Sequence, residues 1–215
     1  MPTYKLHYFD MHGAAEVSRQ LFILSGTPFI DSRISKEQWP LFKETTPFGH
    51  LPVLEVDGRP LPQSQAIARY LAKEFGFYGK TPFESAWVDA LADQIKDFLT
   101  EMRPYFDVFV AGSDKEKARV EIAMPAISKH FPFFEKAAKD NGSNGHFVGD
   151  SLTFVDVYIA DRIVTIDGML PGFADAYPSV LAIRDKVIND PRLKEWIATR
   201  GTRRVAGEVL VDLRK

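Results

Sequence analysis

Residues 3–34, TYKLHYFDMHGAAEVSRQLFILSGTPFIDSRI, decide the fold because their apolar pattern changes period twice. Residues 3–8 alternate between an apolar and a polar face, which is typical of a strand. Residues 14–25 carry apolar side chains at helical spacing, and Gly26 follows them as a helix stop. Residues 28–34 return to a strand pattern. A strand, a helix and a strand in so short a stretch predict a βαβ unit with a right-handed crossover, so the two strands should be parallel.

The following residues add a hairpin and a helix to this unit. Residues 53–56 predict a third strand, and Asp57-Gly58 is a strong hairpin signal that returns the chain as a fourth strand over residues 59–61. Ser64 is the expected cap of a helix that runs to residue 75 and ends at Gly76. A short helical turn is expected around residues 39–43. The order βαβ–ββα predicts an N-terminal thioredoxin-like α/β domain over residues 1–76.

The rest of the chain reads as helix. Residues 77–82 interrupt the periodicity with glycine and proline, so they are expected to form a linker. Thr153 and Asp156 have the spacing of a capping box, which predicts a buried helix from residue 154. The other predicted helices cover residues 83–103, ended or kinked by Pro104, and residues 115–138, 177–189 and 191–199. We therefore expect an all-α C-terminal domain over residues 83–215.

Composition excludes several classes of protein. The 27 Lys and Arg and 29 Asp and Glu give a net charge of −2, so there is no basic field for nucleic acid or a membrane surface. The chain has no cysteine, which removes disulfides and thiolate chemistry and favours a reducing compartment. The first 20 residues show no signal-peptide pattern, and no apolar run is long enough to span a membrane. A cytoplasmic protein with small-molecule or protein partners is expected.

Common catalytic motifs do not occur in the sequence. There is no Walker loop, no Gly-x-Gly-x-x-Gly after a strand, no Gly-x-Ser-x-Gly and no His-Glu-x-x-His. The five histidines lack the spacing that metal ligands need on a helix, so no metal site is expected.

Three features allow both a functional and an ordinary interpretation. Tyr8 ends the first strand beside a helix N-terminus, where its hydroxyl can donate to a thiolate, or it is a core aromatic residue. A cis bond before Pro52 would turn the backbone of Leu51 toward an extended peptide, whereas a trans proline would simply start the strand. An acidic residue recurs every four positions on one predicted helix, either as a site or as a solvated face relieved by Lys96 and Arg103. This acidic row is Asp89, Asp93, Asp97 and Glu101.

Three segments together strongly resemble the cytosolic glutathione transferases. They are YFDMHG at residues 8–13, PFGHLPVL at residues 47–54 and QSQAIARYL at residues 63–71. The stretch GDSLTFVD at residues 149–156 extends the similarity into the helical half, so it covers essentially the whole chain. Tyr8, in the place where other classes have serine or cysteine, together with Trp39, Lys43 and Asp97, is most similar to the sigma class, which includes invertebrate and nematode members.

The resemblance implies a glutathione S-transferase, in which the glutathione thiolate attacks a hydrophobic electrophile in a detoxification reaction. Glutathione is then a co-substrate, and no cofactor is tightly bound. Tyr8 would be the catalytic residue, because its hydrogen bond to sulfur stabilises the thiolate. The implied glutathione-binding residues are Tyr8, Trp39, Lys43, Gly49, His50, Leu51, Pro52, Gln63, Ser64 and, across the interface of a homodimer, Asp97. The implied walls of the electrophile pocket are Met11, Gly13, Leu99, Tyr105 and Tyr158.

The chain also departs from the vertebrate prostaglandin D synthases of this class. Ala14 stands in the place of an arginine and His50 in the place of a lysine. Lys96 interrupts their acidic cluster beside Asp93 and Asp97, so a Mg²⁺ site like theirs is not expected. Other functions stay open: a non-enzymatic carrier of apolar ligands such as haem, a lens-crystallin-like protein, or a glutathione-dependent prostaglandin isomerase.

Overall fold

The computed structural model describes residues 2–200 and 207–211. The chain forms two compact units, one from the described residues of Met1–Phe77 and Ile188–Lys215 and the other from Tyr78–Val187. The sequence predicted a first domain over residues 1–76 and a linker over residues 77–82, and the first segment of the first unit ends at Phe77. The expected helical domain over residues 83–215 differs from the second unit, because the chain returns to the first unit at Ile188 and its last helix packs there.

The first unit contains a five-stranded sheet in the order β4-β3-β1-β2-β5. The strands are β1 (Tyr4–Phe9), β2 (Phe29–Ile34), β3 (Val53–Val56), β4 (Arg59–Pro62) and β5 (Gly207–Val211). β1 and β2 are parallel and the other pairs are antiparallel, which confirms the βαβ unit and the hairpin. Asp57 and Gly58 both have positive φ, as this two-residue turn requires. β5 was not predicted, because no local turn connects it with its neighbour β2.

The described part of this unit also contains helices, some before the second unit in the sequence and one after it. They are α1 (Glu16–Ser25), which follows a 3₁₀ turn at Gly13–Ala15, then α2 (Trp39–Lys43), α3 (Ser64–Phe75) and, near the C-terminus, α9 (Pro191–Thr199). α1 packs against both α3 and α9. Gly26 ends α1 in the left-handed conformation, as predicted. Arg192 of α9 donates to the carbonyl oxygen of Leu24 at 3.1 Å, which explains why the C-terminal helix belongs to this unit.

The second unit is helical. It contains α4 (Pro82–Ala111), α5 (Lys115–Ala118), a π-helical turn (Arg119–Ala123), α6 (Met124–Asp140), α7 (Phe154–Asp167) and α8 (Pro178–Ile188). The capping box of Thr153 and Asp156 at the start of α7 is confirmed. A second capping box, formed by Thr81 and Glu84, begins α4 inside the expected linker. None of the helices within the described residues is long and apolar enough to cross a membrane.

Pro104 does not end α4, which continues to Ala111. A proline inside a helix removes one backbone hydrogen bond and crowds the preceding turn. Met102 and Tyr105, on either side of Pro104, are buried to 0% and 2% exposure. Burial of these two side chains offsets the cost of the proline, so the helix extends beyond the predicted end at residue 103.

A buried carboxylate connects α6 with α8. Glu135 Oε2 accepts hydrogen bonds from the backbone nitrogens of Ser179 and Val180, at 3.0 Å and 3.1 Å, in the first turn of α8. Lys139 Nζ lies 3.0 Å from the other carboxylate oxygen. Burial opposes ionisation, but these partners hold the pKa of Glu135 below its ordinary value. The cap of α8 is therefore supplied by another helix.

Candidate active site

The strand register brings three chain segments to one edge of the sheet. His7 of β1 lies opposite Val53 at the start of β3, and Val53 lies opposite Pro62 at the end of β4. The next residues outward along these strands are Tyr8, Pro52 and Gln63. Candidates that are far apart in the sequence are therefore neighbours at this edge.

Tyr8 is held by the turn that follows its own strand. Its side chain is buried, and its hydroxyl oxygen accepts a hydrogen bond from the backbone nitrogen of Ala14 at 3.0 Å. A phenol has one hydrogen to donate, and this bond leaves that hydrogen for another acceptor. Gly13 makes the close approach possible, because a Cβ at that position would lie 2.5 Å from the Tyr8 oxygen. The arrangement presents a hydrogen-bond donor at the edge of the sheet.

The N-terminus of α3 lies at the same edge. Gln63 precedes the helix with φ +76°, and Ser64 is the first helical residue, so the expected capping position of Ser64 is wrong by one residue. A non-glycine residue in this conformation costs about 1–3 kcal/mol and persists where the surroundings require it, often at functional sites. The unpaired amides of a helix N-terminus favour an anion. This end of α3 can therefore hold a carboxylate.

The peptide bond between Leu51 and Pro52 is cis, which is the first of the two alternatives that the sequence left open. Pro52 is buried and Leu51 is half-buried. The ladder between β1 and β3 begins only at Val53. The backbone of Leu51 therefore lies outside that ladder, at the edge where Tyr8 is found.

The segment from α2 to the cis proline carries the other candidates of this unit. The ring of Trp39 packs edge-on against Phe9, with 5.3 Å between centroids, beside the end of β1. Lys43 Cε lies 3.4 Å from the point that a Cβ on Gly49 would occupy, so these two residues are in contact range. His50 is exposed on the surface.

The candidates for the electrophile pocket are divided between the units. Met11, 54% exposed, and Gly13 follow β1. Leu99 on α4 and Tyr158 on α7 are half-buried. Tyr105 is only 2% exposed, and its hydroxyl donates to the carbonyl oxygen of Met169 at 3.3 Å. In this position Tyr105 offers almost no surface to a ligand and instead belongs to the core of the second unit.

The acidic row on α4 is partly neutralised by partners within its own unit. Asp89 accepts a hydrogen bond from the Tyr78 hydroxyl at 2.5 Å. The hydrogen bond from Lys129 lowers the pKa of Glu101. Arg103 does not relieve the row as expected, because it pairs with Asp107 at 3.1 Å. Asp97 is exposed on this helix and is the member that stays a candidate for ligand binding.

Within residues 2–200 and 207–211, no group of three His, Asp or Glu side chains is placed to hold a metal ion.

A buried network of ion pairs near Tyr8 was not predicted from the sequence. Arg19 of α1 is 0% exposed, and its Nε donates to Asp31 Oδ1 at 2.9 Å. Arg33 extends the network from Asp31 to Asp10, at 2.9 Å and 2.6 Å. Burial opposes the charge of Arg33, but these two carboxylates raise the pKa of its guanidinium. The one available signal was the position of these charges inside the otherwise apolar βαβ unit.

Both halves of the chain match one family. Residues 4–73 match the glutathione S-transferase N-terminal domain, and residues 96–200 match the glutathione S-transferase C-terminal domain. Probable glutathione S-transferase 7 of Caenorhabditis elegans is 45% identical over 202 residues, which cover 93% of this chain and 98% of that protein.

Solved structures extend the match to three dimensions. A glutathione S-transferase of the hookworm Necator americanus, described as monomeric, has a TM-score of 0.89 and 48% identity over 92% of this chain and 97% of that chain. A Nu-class enzyme from Haemonchus contortus has a TM-score of 0.85 and 48% identity, and a prostaglandin synthase D of Nilaparvata lugens has 0.82 and 36%, each over 93% of this chain and 98% of that chain. Because these matches include both units and nearly the full length of each relative, the chain belongs to the cytosolic glutathione S-transferase family.

Proposed function

We propose that the protein conjugates glutathione to hydrophobic electrophiles, a detoxification reaction, with Tyr8 as the catalytic residue. A free thiol has a pKa of about 8.5 and is mostly protonated at neutral pH, whereas the thiolate is the nucleophile. A hydrogen bond from the Tyr8 hydroxyl to sulfur stabilises the thiolate and lowers the pKa of the thiol. The sulfur then forms a bond to the electrophile, whose leaving group or double bond accepts the electron pair. The observation that carries the proposal is the Ala14 amide on the Tyr8 oxygen, which leaves the hydroxyl hydrogen to be donated.

Glutathione is held along the same edge of the sheet. In this proposal the backbone of Leu51, beside Pro52, pairs with the cysteinyl residue in the manner of an added strand. Gln63 and Ser64 bind the γ-glutamyl carboxylate at the N-terminus of α3, where the helix dipole favours an anion. The register of β1, β3 and β4 supports this set, because the residues that follow β1, precede β3 and follow β4 lie at the same edge of the sheet.

In this proposal α2 and the loop that follows it bind the other end of glutathione. Trp39 and Lys43 bind the glycyl carboxylate, since an ammonium and an indole N–H both donate to carboxylate oxygens. Gly49 and His50 line the same loop. The proximity of Lys43 to Gly49 and of Trp39 to Phe9 supports this assignment. The electrophile would contact Met11, Gly13, Leu99 and Tyr158, with Tyr105 supporting them from the core of its unit.

We further propose a cytoplasmic homodimer of the sigma class, in which Asp97 reaches the γ-glutamyl ammonium of the glutathione bound to the other subunit. Exposed aromatic side chains on α4 and α6 support self-association, since Trp87 and Phe133 line one groove at 44% and 57% exposure. Sigma and Nu are the two classes at issue, because one 48% identical structure is a Nu-class enzyme. One relative is described as monomeric, so the oligomeric state of this chain needs a direct test. Sedimentation of the wild-type protein and of Phe133→Glu provides that test.

The substitution Tyr8→Phe tests the catalytic assignment. It removes one oxygen and keeps the ring, so the fold and glutathione affinity should be unchanged. Turnover of an aryl halide at pH 7 should fall by about 10²-fold, because the lost hydrogen bond acts on the thiolate. Ultraviolet titration of bound glutathione should show a higher thiol pKa in the variant. The assignment fails when the two titration curves coincide.

A second candidate function is glutathione-dependent prostaglandin isomerisation, favoured by the similarity to a prostaglandin synthase D. Ala14 and His50 remove basic groups that would hold an acidic lipid, so this turnover should be far below general conjugation. Added Mg²⁺ should change little because of Lys96. A panel of aryl halides, aldehydes, hydroperoxides and prostaglandin H₂ decides between the two. Inactivity with all of them would favour a carrier of apolar ligands such as haem.

A further inference from the structure

A single buried carboxylate joins the C-terminal helix to α1. Glu16 is 1% exposed, and its Oε1 accepts hydrogen bonds from Trp196 Nε1 at 2.8 Å and from Arg200 Nη1 at 3.0 Å. Its other oxygen lies 3.4 Å from Arg19 Nη1. Glu16 therefore contacts two side chains from the end of α9 on one side and the buried guanidinium of α1 on the other.

Arg19 carries this connection to the turn that holds Tyr8. Its Nη1 donates to the carbonyl oxygen of Met11 at 2.9 Å and to that of His12 at 3.3 Å. These carbonyls directly precede Gly13 and Ala14, and the amide of Ala14 bonds to the Tyr8 hydroxyl. The guanidinium carbon also lies 5.9 Å from the centroid of the Tyr8 ring, within cation–π range. Arg19 thus lies beside the Tyr8 ring and also binds the turn that leads to the Ala14 amide.

The charges of this network depend on one another. Three carboxylates and three guanidinium groups alternate through it, in the order Asp10, Arg33, Asp31, Arg19, Glu16, Arg200. In a medium of low dielectric constant, removal of one partner leaves the opposite charge buried and unpaired, and its neighbours move to compensate. Loss of the cation on α9 therefore pulls Glu16 toward Arg19, and Arg19 is the group that fixes the turn.

We propose that Glu16, Arg19 and Arg200 are positioning residues for Tyr8, so that the C-terminal helix sets the geometry of the catalytic hydroxyl. They act through Arg19 on the carbonyls of Met11 and His12 and touch no reacting atom. The inference rests on the proposed role of Tyr8 in stabilising the thiolate. It goes further in assigning part of that role to two other residues of the first unit's βαβ segment and to Arg200, which is far from Tyr8 in the sequence.

The decisive comparison is between two arginines of the same C-terminal segment. Arg200→Met removes the cation that faces Glu16. Arg192→Met is the matched control, because Arg192 also donates to α1, through the Leu24 carbonyl, but its ion pair is with Asp190 at 2.7 Å. Both changes loosen α9, and only the first disturbs the network.

Arg200→Met should lower kcat at pH 7 by about tenfold and raise the pKa of bound glutathione by up to about one unit, while KM for glutathione stays within about twofold. Arg200→Lys, which restores the charge and one donor, should recover most of the loss. Arg192→Met should match the wild-type protein in kcat and thiol pKa even where its melting temperature falls equally. Equal kinetic losses in the two methionine variants, or no loss in Arg200→Met, would overturn the proposal.

A second readout needs no glutathione. The amide hydrogen of Ala14 should exchange with solvent faster in Arg200→Met than in the wild-type protein or in Arg192→Met, because its bond to the Tyr8 hydroxyl is weakened. Unchanged exchange would refute the positioning role. A wild-type protein that fails to ionise glutathione refutes the proposed function instead, and the exchange rates still decide the network. The double variant Glu16→Gln with Arg200→Met should lose no more kcat than the worse of the two single variants. Additive losses of kcat would show that the two residues act independently.

Discussion

Replacement of Gly13 by alanine is the sharpest test of how the turn presents Tyr8. The new Cβ would lie 2.5 Å from the Tyr8 oxygen and 2.8 Å from Cε1, and Gly13 has φ +45°. Relief of the contact requires the hydroxyl to move by about 1 Å, out of its bond with Ala14. A catalytic group displaced by about 1 Å can lose about 10²-fold in rate. The left-handed backbone adds a cost of about 1–2 kcal/mol in stability.

Gly26→Ala separates these two effects. Gly26 also has positive φ, +66°, and nothing lies within 4 Å of a Cβ built there. Both variants should therefore lose about 1–2 kcal/mol of unfolding free energy in urea from the left-handed backbone, and Gly13→Ala should lose more because of the contact with Tyr8, whereas only Gly13→Ala should lose conjugating activity beyond its loss of stability. The reasoning is refuted if Gly13→Ala keeps a kcat within a few-fold of Gly26→Ala, or if both lose activity in proportion to their stability.

Three further predictions concern other parts of the chain. Asp156→Ala should lower the free energy of unfolding by about 2–4 kcal/mol, because it leaves the buried amides of Phe147 and Thr153, now bonded at 2.8 Å and 2.7 Å, unpaired; urea denaturation beside Asp150→Ala, an exposed position that should change little, checks this. Because the pKa of Glu135 is lowered on folding, its ionised form stabilises the protein at pH values above the ordinary pKa of 4.5. The difference in unfolding free energy between the wild-type protein and Glu135→Gln should be full at pH 7 and should shrink as the pH falls through the lowered pKa. A constant difference from pH 7 to pH 3 would contradict this prediction. Asp97→Ala should weaken glutathione binding by about one to two orders of magnitude in calorimetry; heterodimers with Tyr8→Phe should then recover about half the activity, and two damaged sites would place Asp97 in its own subunit's site.

Much of the first unit was predictable because its signals are local. The change of period in residues 3–34, the Asp57-Gly58 turn and the glycine stops at Gly26 and Gly76 each act over a few neighbouring residues. The capping box at Thr153 is another local signal. The proposed glutathione site was inferred differently, through the resemblance of three segments to a known family, since spacing alone left Tyr8 and Pro52 with two interpretations each.

Features that depend on distant partners were not predictable in this way. β5 pairs with β2 across most of the chain, and no hairpin signal marks it. A reading of periodicity counts Arg19 and Glu16 as polar positions of an amphipathic helix, although both are buried by the charges that face them. The sequence left open whether Pro104 ends or kinks its helix, and α4 continues past it because tertiary burial of its neighbours overrides the local rule.

The return of the chain to the first unit has a consequence for the order of events during synthesis. The ribosome releases the strands from β1 to β4 first, then all of Tyr78–Val187, and only afterwards α9 with Trp196 and the adjoining Arg200. The second unit is continuous, so every contact inside it becomes available before the first unit can be completed. Glu16 therefore lacks two of its partners, Trp196 and Arg200, until the whole second unit has been released. A ribosome-bound chain that stops short of Pro191 should resist proteolysis in the helical unit while the turn beside Tyr8 is still cleaved.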